Sequence, residues 1–176
     1  YLQVKDRAGL PAAEVVREFR EKAPKELRVR YRLPWIVRKL PLPGSPPMSV
    51  GYLTDTILTR DWWIHRLDLC HATGQTMMLT PDHDGRLTAL VVRDVAKKVA
   101  KGLRGQTIEL VLTGPAGGRY RFGGGSLADV TIEMDTLDFH LRVSERIGAA
   151  EALDRATARG LELAARRFLE IGTTLY

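Results

Sequence analysis

The stretch Thr107–Gly125, TIELVLTGPAGGRYRFGGG, forces a sheet into this chain. Ile108, Leu110 and Leu112 alternate with Glu109, Val111 and Thr113. Tyr120 and Phe122 alternate on the way back, and glycines fill the turn between the two runs. Alternation on either side of a glycine-rich turn is the pattern of a β-hairpin. Asp129–Met134 is expected as a third strand. Around these strands the apolar spacing is helical. After TPDHDGR (Thr80–Arg86), Leu87, Leu90, Val91, Val95 and Val99 lie on one inner face, and Thr136–Val143 and Leu161–Glu170 are expected as two further helices. Ala156–Arg159 reads either as a strand or as the start of the last helix. The fold class is α+β, and residues 75–176 are expected to form a small α+β domain.

Residues 1–74 read as helical. Gly9–Glu14 opens a helix, with Pro11 in the first turn and Glu14 at the positive end of the dipole. Val15, Val16, Phe19 and Ala23 form its apolar stripe. Pro24 is expected to kink or split it, and Leu27 and Tyr31 continue it to about Leu33. Leu40–Met48, with four prolines, is a stiff connection. A longer helix is expected from about Val50 to Ala72, stopped by a left-handed Gly74. Two helices cannot enclose a core alone. Further helices are needed, and a chain that begins at Tyr1 rather than Met is expected to lack the N-terminal segment that would hold them.

Composition narrows the function classes. The chain has 176 residues, 44% hydrophobic and 27% charged, as in globular proteins. No apolar run approaches the ~18 residues of a membrane span, and no signal peptide is recognisable. The single Cys70 excludes an internal disulfide and suits a reducing cytosol, so a cytoplasmic location is expected. Of the net charge of +6, most sits early: residues 1–74 hold 13 Lys/Arg against 8 Asp/Glu, and residues 75–176 hold 14 against 13. Lys22–Lys39 carries seven basic residues around Glu26. A solvated helix face explains this better than nucleic-acid binding, because no aromatic-rich motif accompanies it. A small acidic substrate would also be attracted.

The densest chemistry is RDWWIHRLDLCHATGQ, Arg60–Gln75. One heptad-spaced seam reads Val50, Leu53, Ile57, Arg60, Ile64, Leu67 and is mostly core. Its neighbour reads Thr54, Leu58, Asp61, His65, Asp68, Ala72 and turns ionisable halfway. Asp61 and His65, four apart on a helix, point the same way and can chelate one divalent metal, or they can form an ordinary ion pair. Asp68 lies one turn further. Arg60 and Arg66 flank the pair and can hold a substrate carboxylate, or pair with Asp55 or Asp68. Trp62 and Trp63 read as packing residues. His71 is about 240° around the helix from His65 and cannot share its metal. His83 and His140 have no ligand-spaced neighbours. Gly114–Gly118 and Gly123–Gly125 are turn glycines, since the lysine and Ser/Thr ending of a phosphate loop is absent. Cys70 reads as buried and inert.

LTRDWWIHRLDLCHATG, followed by VLTGPAGG (Val111–Gly118), resembles the mycothiol-dependent maleylpyruvate isomerase family within the DinB-like metal-binding superfamily. The resemblance implies a DinB-like helical bundle over residues 1–74, its N-terminal helices apparently missing. A small sterol-carrier-like α+β domain over residues 75–176 would follow it. It implies a divalent metal, zinc first and nickel second, with His65 as the helix ligand. Asp61 stands where the family has a glutamate, and a further histidine is expected just upstream of the segment YLQV at Tyr1.

The implied function is a thiol-utilising isomerase or thiol transferase. A metal-bound mycothiol-like thiol loses its proton and adds to a small, anionic electrophile. Asp68 would orient His65, and Arg60, Arg66 and Asp68 would serve the reaction. The rival reading is a catalytically lapsed binding or regulatory module that uses its C-terminal domain for an apolar ligand or a protein partner. A monomer or homodimer without membrane partners is expected either way.

Overall fold

The computed structural model describes residues 2–43 and 48–174, with side chains from residue 5 onward. Tyr1, and with it the start of the YLQV segment, lies outside the described residues. So do positions 44–47 of the proline-rich connection. The fold mixes helix and sheet, in two compact units, Tyr1–Asp55 and Thr56–Tyr176.

In the first unit, α1 (Leu2–Arg7) is followed by α2 (Ala12–Arg32), α3 (Trp35–Arg38) and α4 (Val50–Tyr52). The Arg7 guanidinium forks onto Glu18, at 2.8 and 2.7 Å, tying α1 to α2. Pro24 lies inside an unbroken α2 rather than splitting it. No residue of α2 is buried, so water can take the Arg20 carbonyl that a proline four residues on leaves without its N–H. Ser49 caps α4, its Oγ accepting the Tyr52 N–H at 3.1 Å. Arg38 pairs with Asp55.

The expected long helix is present but not uniform. Leu53–Ile57 is a π-helical turn between α4 and α5 (Leu58–Thr73). Gly74, at φ 66°, ends α5, and the Gln75 N–H closes onto the Cys70 carbonyl at 2.8 Å. Ile57, Arg60, Ile64 and Leu67 are all buried, whereas Val50 and Leu53 are only partly so.

The second unit holds a four-stranded sheet in the order β2-β1-β3-β4. β1 (Ile108–Thr113) pairs antiparallel with β2 (Gly118–Phe122), as the hairpin pattern requires, and parallel with β3 (Val130–Asp135). β4 (Thr157–Gly160) is the strand alternative for the ambiguous segment and runs antiparallel to β3. The link from β2 to β3 passes over the start of β1. There Gly125 N–H donates to Thr107 Oγ1 at 2.8 Å, and Asp129 accepts the Thr107 N–H at 2.6 Å. A Cβ on Gly123, at φ 97°, would lie 2.5 Å from the Gln106 carbonyl oxygen, so this crossing demands glycine.

Ile108, Leu110, Leu112, Val130, Ile132 and Met134 form the inward face of the sheet. They join one hydrophobic cluster with Val91, Val95 and Val99 of α6 (Arg86–Val99), Phe139 of α7 (Thr136–Val143), Ala152 of α8 (Ala149–Asp154) and Phe168 of α9 (Glu162–Ile171). Trp63, Ile64 and Leu67 of α5 belong to the same cluster. α5 therefore lies in the second unit. Each side chain of this kind contributes roughly 1.5–3 kcal/mol by leaving water.

Arg60 is fully buried in this unit. Its guanidinium pairs with Asp94 of α6, donates to the Leu90 carbonyl at 3.1 Å and to Thr174 Oγ1 at 3.0 Å. Removing the carboxylate would strand a buried charge. Asp94→Ala is expected to cost about 3–5 kcal/mol in urea unfolding, whereas replacing both partners, Arg60→Met with Asp94→Leu, is expected to recover most of it.

Candidate metal centre

Helical spacing decides which side chains α5 can present together. Trp63 points inward, so Asp61 and His65, each about 200° away around the helix, both point outward. They come together as expected. His65 Nε2 lies 3.5 Å from Asp61 Oδ1, and Nδ1 lies 3.0 Å from Asp68 Oδ2. The pair sits on the open side of α5, with the His65 side chain 62% exposed and Asp61 38%, rather than inside a bundle. Trp62 and Leu69, both exposed, join Asp61, His65 and Arg66 around a shallow pocket of about 240 Å³.

Charge orders the donors. Arg146, in the turn after α7, forks onto Asp68, Nε to Oδ1 at 2.7 Å and Nη2 to Oδ2 at 2.6 Å. That fork lowers the Asp68 pKa against the opposing effect of burial, and the bond from His65 adds to it. An ionised carboxylate only accepts, so Nδ1 of His65 carries the proton in this contact, and in the neutral ring Nε2 keeps its lone pair. At 3.5 Å, Asp61 is too far to spend that lone pair in a good hydrogen bond.

The residues fit a metal as a partial set. Zinc holds nitrogen at about 2.0–2.1 Å and carboxylate oxygen at about 2.0–2.2 Å, so two tetrahedral donors stand roughly 3.3 Å apart, close to the spacing of Nε2 and Oδ1. Among the described residues no group of three His, Cys, Asp or Glu side chains is placed to hold a metal ion. The pair would need a donor from elsewhere.

The two arginines of the sequence reading part company. Arg60 faces the core and holds Asp94, so its guanidinium has no surface to offer a substrate and it leaves the candidate site. Asp55 pairs with Arg38 and Asp68 with Arg146, while Arg66 pairs with Asp84 and lines the pocket, with its guanidinium carbon 5.9 Å from the Trp63 ring centre. Cys70 is part-buried and packs against the core.

Asp84 is the residue that sequence reading missed. It sits in the π-helical turn Pro81–Gly85 before α6 and is 1% exposed in its side chain. One carboxylate oxygen accepts the Trp63 indole N–H at 2.7 Å, Arg66, and His83 Nδ1 at 3.2 Å. The other accepts both the N–H of Thr80, at 2.6 Å, and its hydroxyl, at 3.1 Å. Burial opposes ionisation here, but the Thr80 N–H, Trp63, Arg66 and His83 outweigh it and hold the carboxyl far below the usual range. The signal was present: Thr80 opens a helix and an acid follows within its first turn, one residue later than in a capping box. His83 also edges a depression of about 520 Å³ with Thr59, Asp82, Arg86, Leu87 and Leu90.

His140 completes the support behind Trp63. Its ring centre lies 4.2 Å from that of Trp63, and Nε2 is 3.0 Å from Thr88 Oγ1, whose own proton goes to the Asp84 carbonyl. Burial, reinforced by Arg60, pushes its pKa down to about 3. The unfolded chain, with an ordinary value near 6.5, binds the proton more readily. Stability is therefore expected to fall as pH drops from about 6.5 toward 3, by up to about 1.4 kcal/mol per pH unit, and to flatten in His140→Gln. Urea titrations at stepped pH would measure both slopes.

No family model matches this chain, and no curated protein matches it. Among solved structures it is similar to sterol carrier protein 2 from Yarrowia lipolytica in the apo form, at 16% identity and a TM-score of 0.35, over 50% of this chain and 91% of that one.

Proposed function

We propose that the chain is a metal-dependent enzyme that uses a low-molecular-weight thiol of the mycothiol kind for isomerisation or thiol transfer on a small anionic electrophile. In this reading its helical part is a DinB-like bundle and its sheet unit a sterol-carrier-like domain. The observation that carries the proposal is the 3.5 Å approach of His65 Nε2 to Asp61 Oδ1 while Nδ1 is committed to Asp68.

A bound divalent cation, zinc first and nickel second, would supply a lowered thiol pKa. The chain's own residues do the rest. Asp61 and His65 offer one lone pair each from the same side of α5. Asp68 keeps the imidazole proton on Nδ1. Trp62 and Leu69 give the pocket apolar walls, and Arg66 places positive charge at its edge, where an anionic substrate gains from it. No helix among the described residues is long and apolar enough to cross a membrane.

Metal analysis after dialysis against zinc or nickel tests the reading. Stoichiometric uptake is expected, lost in His65→Ala, strongly weakened in Asp61→Ala and retained in His71→Ala. Uptake that survives His65→Ala, or no uptake at all, would remove the enzyme proposal and favour the lapsed binding module.

A further inference from the structure

We propose that Arg146 is a positioning residue for the His65 ligand, acting through Asp68; this rests on the metal reading above. The contact joins side chains 78 positions apart in sequence, and both ends are tied down. On one side, Asp68 holds His65 Nδ1 from the next turn of the same helix.

On the other side the chain after α7 is built to present Arg146. The Glu145 N–H returns to the Arg142 carbonyl at 3.0 Å and the Arg146 N–H to the Leu141 carbonyl at 2.8 Å, which together close a Schellman turn. Its left-handed position, φ 61°, is filled by Glu145 where glycine is usual. Arg142, itself buried, braces the turn by donating to the Ile147 carbonyl at 3.2 Å and to the Leu169 carbonyl at 2.8 Å. Ile147, directly after Arg146, is buried in the core. The guanidinium thus stands on a rigid base, and both its contacts to Asp68 are parallel and short.

Such a fork does two things at once. It fixes the carboxylate plane, and so the ring plane of His65. It thereby holds the ring in the tautomer whose Nε2 can bind a cation. An exposed ion pair adds little stability by itself, so the effect of Arg146 is expected in ligand geometry more than in folding. Groups behind a metal-binding histidine typically change affinity by roughly ten- to a hundredfold.

Two readouts test this. The first is the zinc affinity of the whole chain, by competition with a chromophoric chelator. Asp68→Asn and Arg146→Gln are each expected to weaken zinc by roughly tenfold or more. Arg146→Lys, which keeps the charge but loses the fork, should fall between wild type and Arg146→Gln, and Arg155→Gln, which breaks an ion pair with Asp138 and Glu151 elsewhere, should match wild type. The second is the nitrogen-15 spectrum of the His65 ring without metal, above the ordinary histidine titration range. Wild type should show the proton on Nδ1, and Arg146→Gln a shift toward Nε2. If His65→Ala abolishes zinc binding while Arg146→Gln leaves affinity within twofold of wild type, the metal site stands and the role of Arg146 falls. A wild type that takes up no zinc sinks the parent reading alone; the tautomer shift then decides the positioning role, and an unchanged tautomer overturns it.

Discussion

The carboxylate of Asp84 governs how α5 lies on the sheet unit, because it gathers donors from α5, from the turn before α6 and from the chain entering that turn. A buried carboxylate stripped of its partners is costly, so these bonds form together or not at all. Trp63 is fixed by its indole nitrogen on one side and by the His140 ring on the other. Once that ring is turned inward, helical geometry leaves no choice for Asp61 and His65. The open donor pair is the reverse side of a packed and hydrogen-bonded tryptophan.

A second buried charge pair, Arg60 with Asp94, works one turn earlier. Its value lies in specificity of placement more than in net energy, since two well-packed apolar side chains could replace it. Arg60, Trp63, Ile64 and Leu67 share the inner side of α5, and only one rotation of the helix satisfies the guanidinium, the indole and the two aliphatic chains together. The α5 helix is thus held in rotation by polar contacts whose partners lie on α6, on the turn before it and, at Thr174, beyond α9.

Much of this architecture was readable in the sequence. Alternation around Gly114–Gly118 revealed β1 and β2, and Gly74 marked the end of α5 because only the left-handed region closes that turn. Ala156–Arg159 stayed ambiguous because the strand it enters, Thr157–Gly160, is exposed at every position, leaving no inside and outside to alternate. The π turns left no mark, since one extra residue in a helical ladder alters no composition. At the candidate site, the Asp61–His65–Asp68 spacing was legible as local geometry. Arg60 stood in the core seam, but its partner Asp94 is 34 residues away and Arg146 is 78 residues from Asp68. Long-range pairing of charges is fixed by tertiary structure, which spacing along one helix cannot report. The place of α5 in the core of the sheet unit was hidden for the same reason: a helix end is a local event, and membership of a core is not.

The order β2-β1-β3-β4 leaves two rims, each guarded differently. At one, β2 offers Arg119 and Arg121, cations set two residues apart on a five-residue strand. At the other, β4 runs for only four residues, carries Arg159, and ends on Gly160 at φ 117°, bending out of the extended path. Short length, positive charge and a bend are the devices that stop sheets from zipping onto one another. Copies of this chain are therefore steered away from strand addition, and any pairing between them falls to helical or loop surfaces.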